Sequence, residues 1–166
     1  MGSRIVVGIA DYKLANAPDT LVTYALGSCV GISLYDAQAK LGGLAHIMLP
    51  DSSLFATGAT EGRMKFADTA IPDVLGALVK AGADRRRLTA KIAGGANMFR
   101  AQGALDADGV SHIGQKNVER VRSVLGSLGI PIVAAETGEN YGRTLFVDLE
   151  SGKMIVQSLG RSTKEV

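Results

Sequence analysis

Three side chains of the kinds that build a thiol nucleophile lie within 24 residues of one another: Thr23, Cys29 and His46. Cys29 is the only cysteine, and His46 is one of two histidines. A thiol reacts as its thiolate, so it needs a base to take its proton. The base in turn needs a third group to hold its ring. A cysteine, a histidine and a hydroxyl this close in sequence suggest a nucleophilic site. The competing reading is a buried structural cysteine, inert as a small hydrophobe.

Gly27 and Ser28 immediately precede the cysteine. A glycine permits a tight bend and close approach of another chain segment, and N–H groups around a bend can converge as an oxyanion hole. The amides of Ser28 and Cys29 are the candidates. Gly-Ser-Cys by itself is a weak signal, because a turn before a strand has the same composition.

The elements that must position these groups follow from periodicity. Val30, Ile32 and Leu34 alternate with Cys29, Gly31, Ser33 and Tyr35; Leu41 to Met48 is a second apolar run, and Asp36 to Lys40 has turn composition. This predicts a β-hairpin. A two-residue loop, Ala37 and Gln38, sets Cys29 directly opposite His46. A four-residue loop, Ala37 to Lys40, sets Cys29 opposite Met48 with His46 on the diagonal. Both registers leave the two side chains on one face, with Cα atoms roughly 4.5–8 Å apart. A three-residue loop separates them onto opposite faces.

Size and composition bound the remaining readings. The chain has 166 residues and a mass of 17.2 kDa, which fits one domain, residues 1–166, with a core that needs no disulfide or metal. No apolar run reaches the ~18 residues that span a bilayer. The N-terminal stretch carries no signal-peptide pattern, so a cytoplasmic protein is expected. A net charge of +2 from 18 basic and 16 acidic residues, with 5% aromatics, argues against a nucleic-acid binder, which needs a basic field or stacking platforms. Arg85-Arg86-Arg87 is expected to be a solvated loop. One cysteine with histidines at 46 and 112 matches no zinc spacing, and neither metal nor cofactor is expected.

Along the chain, residues 4 to 9 read as a strand, Asp11 to Pro18 as a connection, and Val22-Thr23 as part of the next strand. The small-residue stretch 51 to 60 is a connection or a lid. Residues 62 to 81 carry a helical pattern interrupted by Pro72, where two segments meet or the helix kinks. Leu88 to Ala93 leads into Gly94-Gly95, which lacks a nucleotide-binding signature and reads as a close backbone approach. Gly103 to Ser111 is a loop without calcium-site spacing. His112 precedes a helix that presents Val118, Val121, Leu125 and Leu128 on one face and ends at Gly129. Ile130 to Ala135 is a strand, and 144 to 149 with 153 to 159 form a terminal hairpin. The pattern predicts an α+β domain with a mixed, mostly antiparallel and sandwich-like β-sheet system, and helices packed outside it.

Several stretches together resemble one family. They are Thr23 with Leu26-Gly27-Ser28-Cys29-Val30; Ala45-His46-Ile47-Met48-Leu49-Pro50; and Phe66-Ala67-Asp68-Thr69-Ala70. Ala90 through Phe99, Ile113-Gly114 with Asn117-Val118, and Thr137-Gly138 through Gly142-Arg143 complete the set. In this order they resemble the chemoreceptor glutamine deamidases, the CheD family. The resemblance implies a cysteine hydrolase that converts selected glutamines of methyl-accepting chemotaxis receptors to glutamate, with release of ammonia. It implies Cys29 as nucleophile, His46 as general base and Thr23 as the group that orients the histidine. It also implies a fold similar to the deamidase domain of the cytotoxic necrotizing factors, and the CheC phosphatase as a partner, in a complex that phosphorylated CheY strengthens. Tyr24-Ala25, Glu139 (where glycine is common) and a longer stretch over 101 to 112 depart from the pattern. Two alternatives stay open: a non-catalytic module that binds CheC or receptor helices, and a cysteine amidohydrolase with another amide substrate.

Overall fold

A computed structural model describes residues 2–54, 62–98 and 112–166. The first sheet has the strand order β1-β3-β8-β9-β10: β1 is Arg4–Val6, β3 Thr20–Leu26, β8 Arg143–Asp148, β9 Met154–Gln157 and β10 Lys164–Glu165. The second has the order β2-β5-β4-β6-β7: β2 is Asp11–Asn16, β5 Leu41–Ile47, β4 Val30–Asp36, β6 Thr89–Gly94 and β7 Ile132–Thr137. Only the β1–β3 and β6–β7 pairs are parallel among these strands. Helices α1 (Ala67–Lys80) and α2 (Ile113–Ser127) complete the α+β architecture.

Alternation along the central hairpin creates three layers. Val30, Ile32, Leu34, Ala45 and Ile47 point away from the first sheet and pack with Ile71, Val74 and Leu78 of α1 and Val121 and Leu125 of α2. Leu44, on the opposite face of β5, joins Leu21, Leu26, Leu145, Val147, Met154 and Val156 between the sheets. Burying each such Leu, Ile or Val removes it from water at a gain of about 1.5–3 kcal/mol. By the period of two, His46 shares the inter-sheet side with Leu44. A polar imidazole is thereby carried into the sandwich interior, where it is fully buried.

Three local expectations change. Asp11 to Asn16 is not a connection but strand β2, paired antiparallel with β5 from Asp11↔His46 to Asn16↔Leu41. As an edge strand it buries only Ala15 fully, so its composition looks like a loop. Pro72 neither splits nor ends the helix, since α1 runs through it. The missing N–H leaves only the Asp68 carbonyl without its usual helical partner, and the segments meet instead at Phe66, which follows a 3-10 turn over Arg63–Lys65. The arginine run is not simply solvated: Arg87 donates from Nε and from Nη2 to the buried Asp36 carboxylate, both at 2.9 Å. The possible lid over 51 to 60 and the loop from 103 to 111 fall largely or wholly outside the described residues.

Candidate active site

The hairpin register decides whether the thiol and imidazole share a face. Asp36 pairs with Leu41 and Gly31 with His46, leaving Ala37 to Lys40 as a four-residue loop. Continued by one step, this register sets Cys29 opposite Met48, with His46 as its diagonal neighbour. Asp36 selects this loop: its Oδ1 accepts the N–H groups of Gln38 and Ala39, both at 3.1 Å, while Arg87 grips the same carboxylate from outside. The arginine holds the carboxyl well below the usual carboxylate range, so it remains an ion over the functional pH range.

His46 meets the third group across the two sheets. Its Nδ1 lies 2.7 Å from Thr23 Oγ1, and that hydroxyl also lies 2.8 Å from the Val7 carbonyl. A hydroxyl has one hydrogen. The carbonyl can only accept, so Thr23 donates to Val7 and accepts from His46. The imidazole therefore carries its proton on Nδ1 and presents a lone pair on Nε2. Nε2 is buried and, among the described residues, without a hydrogen-bond partner. The strand is irregular immediately after Thr23, with a register shift between Thr23 and Leu26. Ala25 takes a positive φ of 59° there, and β3 turns away towards the Gly27-Ser28 bend.

Cys29 is half-buried and packs against the inter-sheet cluster beside Leu26 and Leu145. Its sulfur makes no hydrogen bond to His46, whose Nε2 is unpartnered. The directly opposed pair is Gly31 and His46, and a Cβ on Gly31 would press to 2.7 Å from the Leu145 side chain. Desolvation raises the Cys29 thiol above its ordinary value and lowers His46 to about 4. Both shifts favour the neutral forms. The resting pair is thus a thiol and a neutral imidazole, in contrast to the preformed ion pair of a strongly activated cysteine.

The backbone before the cysteine is held from one side. The Gly27 carbonyl accepts from Ala96 N–H at 2.9 Å, and the Cys29 carbonyl from Gly95 N–H at 2.8 Å. Gly94, with φ of 109°, lies so close that a Cβ there would run into the Cys29 carbonyl. This is the close approach expected of Gly94-Gly95. Among the described residues, the N–H groups of Ser28 and Cys29 have no acceptor in these turn and loop contacts.

Asn117 entered the sequence reading only as part of a stretch that carries the family resemblance, with no role assigned to it. Its side chain is fully buried, and Nδ2 donates to the carbonyls of both Ser28 and Met48 at 2.9 Å. The readable signal was a polar residue at helical spacing from Val121 and Leu125, on the buried face of α2. His112, by contrast, stands exposed at the N-cap of α2. Among the described residues no group of three or more His, Cys, Asp or Glu could hold a metal ion, and no helix is long and apolar enough to cross a membrane.

Comparison with known proteins adds a family context. The family model described as CheD chemotactic sensory transduction matches residues 48–158. A protein of Moorella thermoacetica named probable chemoreceptor glutamine deamidase CheD is 51% identical over 168 residues, covering 98% of this chain and 95% of the relative. Proteins of the same name from Desulforamulus reducens and Clostridium novyi are each 46% identical. They cover 99% of this chain and 96% of the relative, and 98% of each, respectively. Among solved structures, the Bacillus licheniformis hypothetical protein YfiH superposes with a TM-score of 0.49 at 15% identity, over 78% of this chain and 51% of that one.

Proposed function

Because the chain belongs to the CheD family, we propose that it is a protein-glutamine glutaminase, a deamidase that hydrolyses selected glutamine side chains of methyl-accepting chemotaxis receptors to glutamate and ammonia. Residues 1–166 act as a single deamidase domain in the cytoplasm. The products are new methylation sites, so the reaction contributes to adaptation, and the CheC phosphatase is the partner that competes with receptors for the enzyme.

The observation that carries the catalytic reading is the state of His46. Its Nδ1 is committed to Thr23 and its Nε2 lone pair is buried and unpartnered, on the same face of the hairpin as Cys29. Each chemical step assigns one proton. As the sulfur adds to the glutamine carboxamide carbon, Nε2 takes the thiol proton and the carbonyl oxygen becomes an oxyanion. The N–H groups of Cys29 and Ser28 hold that charge. The imidazolium then protonates the departing nitrogen, which leaves as ammonia, and a thioester remains on Cys29. Water adds to the thioester with Nε2 again as base. Collapse of the second oxyanion releases glutamate and returns the proton to the sulfur.

Thr23 accepts the Nδ1 proton throughout and brings no negative charge. A carboxylate in its place would stabilise the imidazolium more. A buried imidazole with a threonine partner therefore forms its cation only during the reaction, a milder activation of the thiol than a carboxylate would give.

Intact-mass spectrometry of a chemoreceptor cytoplasmic domain tests this reading. Each glutamine converted to glutamate adds about 1 Da, since NH2 is exchanged for OH. The gain is expected with the wild type and not with Cys29→Ala. A receptor that keeps its mass while binding the wild-type protein would favour a non-catalytic module, and turnover of small amides alone would favour another amidohydrolase.

A further inference from the structure

The carbonyls of Gly27, Ser28 and Cys29 all have donors, and only one of those donors is a side chain. Ala96 and Gly95 serve the first and third with backbone N–H groups. Asn117 serves the middle one, reaching from α2 to Ser28 across 89 positions of sequence. Its second hydrogen goes to the Met48 carbonyl, two residues past His46. One amide thus ties the bend before the nucleophile to the strand end beyond the base.

The orientation of this amide is forced. Both neighbours are carbonyl oxygens, so a flipped Asn117 would set its own oxygen against two acceptors. The cost of the observed orientation is visible: Asn117 Oδ1 is buried with no partner among the described residues. Native interiors seldom leave such a group unmatched. Here both hydrogens are spent on the backbone around Cys29 and His46 at the expense of the oxygen.

Peptide planarity gives the bond to Ser28 a consequence at Cys29. In a trans peptide the carbonyl of one residue and the N–H of the next point in opposite directions, and the only cis bond among the described residues precedes Pro18. Holding the Ser28 carbonyl towards α2 therefore turns the Cys29 N–H away from the helix and onto the side of its own thiol, where among the described residues no backbone carbonyl takes it. Resting on the deamidase reading above for the reaction it assists, we propose that Asn117 is a positioning residue that aims the Cys29 N–H at the oxyanion formed when the thiol adds to a carbonyl.

Two reactions of Cys29 separate this role from a structural one. Acylation by p-nitrophenyl acetate passes through a tetrahedral oxyanion; alkylation by iodoacetamide is a direct displacement with none. Both are followed by intact mass on the full chain, for wild type, Asn117→Ala and the near-isosteric, uncharged Asn117→Leu, with folding checked by thermal melt. Loss of one oxyanion donor should slow acylation by about 100-fold and leave alkylation within about twofold at every pH. Unchanged acylation in a folded variant overturns the proposal, and so does an equal fall in both reactions, which would assign Asn117 to the thiol itself. Should the alanine variant not fold, the leucine variant carries the test, and Asn117→Gln, which keeps both donor hydrogens, should restore part of the acylation rate. Acylation of the wild type without any receptor deamidation would count against the substrate reading and leave the Asn117 test standing.

Discussion

Thr23 and His46, one from each sheet of the sandwich, meet at 2.7 Å with the Thr23 hydroxyl as acceptor, because its single hydrogen is already given to the Val7 carbonyl. A main-chain oxygen beyond β1 thus decides which imidazole nitrogen can act as a base. Thr23→Val should remove that control and leave the Nδ1 proton in an apolar site. Deamidation is expected to fall by about 10- to 100-fold, within the range of a misdirected general base. Thr23→Ser should keep most of the activity, and Cys29→Ala none. Receptor assays under conditions where all variants are folded make the comparison; equal losses in Thr23→Val and Cys29→Ala would contradict a purely orienting role.

The neutral resting pair predicts how Cys29 responds to pH. With the thiol raised and His46 lowered to about 4, little thiolate exists near neutrality. The rate of iodoacetamide alkylation should therefore rise continuously with pH and keep rising beyond about 8.5, the value of an ordinary cysteine. A rate already high and flat from pH 5 upward would reveal a thiolate–imidazolium pair instead.

Burial of His46 also links stability to pH. Its folded value of about 4 lies below the ordinary 6.5, so between these values the unfolded chain binds a proton that the folded chain refuses. Stability is undiminished above pH 6.5 and falls as pH drops towards 4. At about 1.4 kcal/mol per unit the total loss is roughly 3 kcal/mol. Asp36 adds little to this window, because its depressed value keeps it ionised there and its contribution is lost only at more acid pH. Urea denaturation of wild type and His46→Gln from pH 7 to 4 measures the effect. The wild type should lose stability more steeply, and parallel curves would exclude His46 as the source.

Arg87 bears on the face that carries Cys29 and His46 through Asp36 at the hairpin loop. Arg87→Ala should leave the buried Asp36 carboxylate without its cation and loosen the loop that sets the β4–β5 register. A lower urea midpoint is expected, accompanied by reduced deamidation. Arg86→Ala removes only a solvent-exposed pairing with Asp84 and should leave both unchanged. Matching effects from the two substitutions would mean that the register does not depend on the Asp36 contact.

Glu139 occupies a left-handed conformation, with φ of 62°, and its exchange for glycine tests a local departure from the family pattern. Relief of the Cβ strain, less the extra freedom of glycine in the unfolded chain, should stabilise the protein by up to about 1 kcal/mol. Thermal melts of Glu139→Gly against wild type read this directly, and a lower melting temperature would show that the side chain makes a compensating contact.

Read alone, the amino-acid sequence determined the types of the reacting groups and the faces they occupy. Strand period is two, so any even-numbered loop leaves Cys29 and His46 on the same side, opposite the apolar face of Val30, Ile32 and Leu34; that their own side is also buried, between the two sheets, came from the tertiary structure. The α+β pattern of the whole chain was equally legible. Tertiary structure chose between the two permitted registers, because the choice lies with Asp36 and a guanidinium 51 positions away. It also brought Thr23 of one sheet to His46 of the other, turned an apparent connection into strand β2, and set Asn117 against the backbone beside Cys29. These outcomes depend on contacts between segments distant in sequence, whereas local periodicity reports only which side of its own element a residue faces.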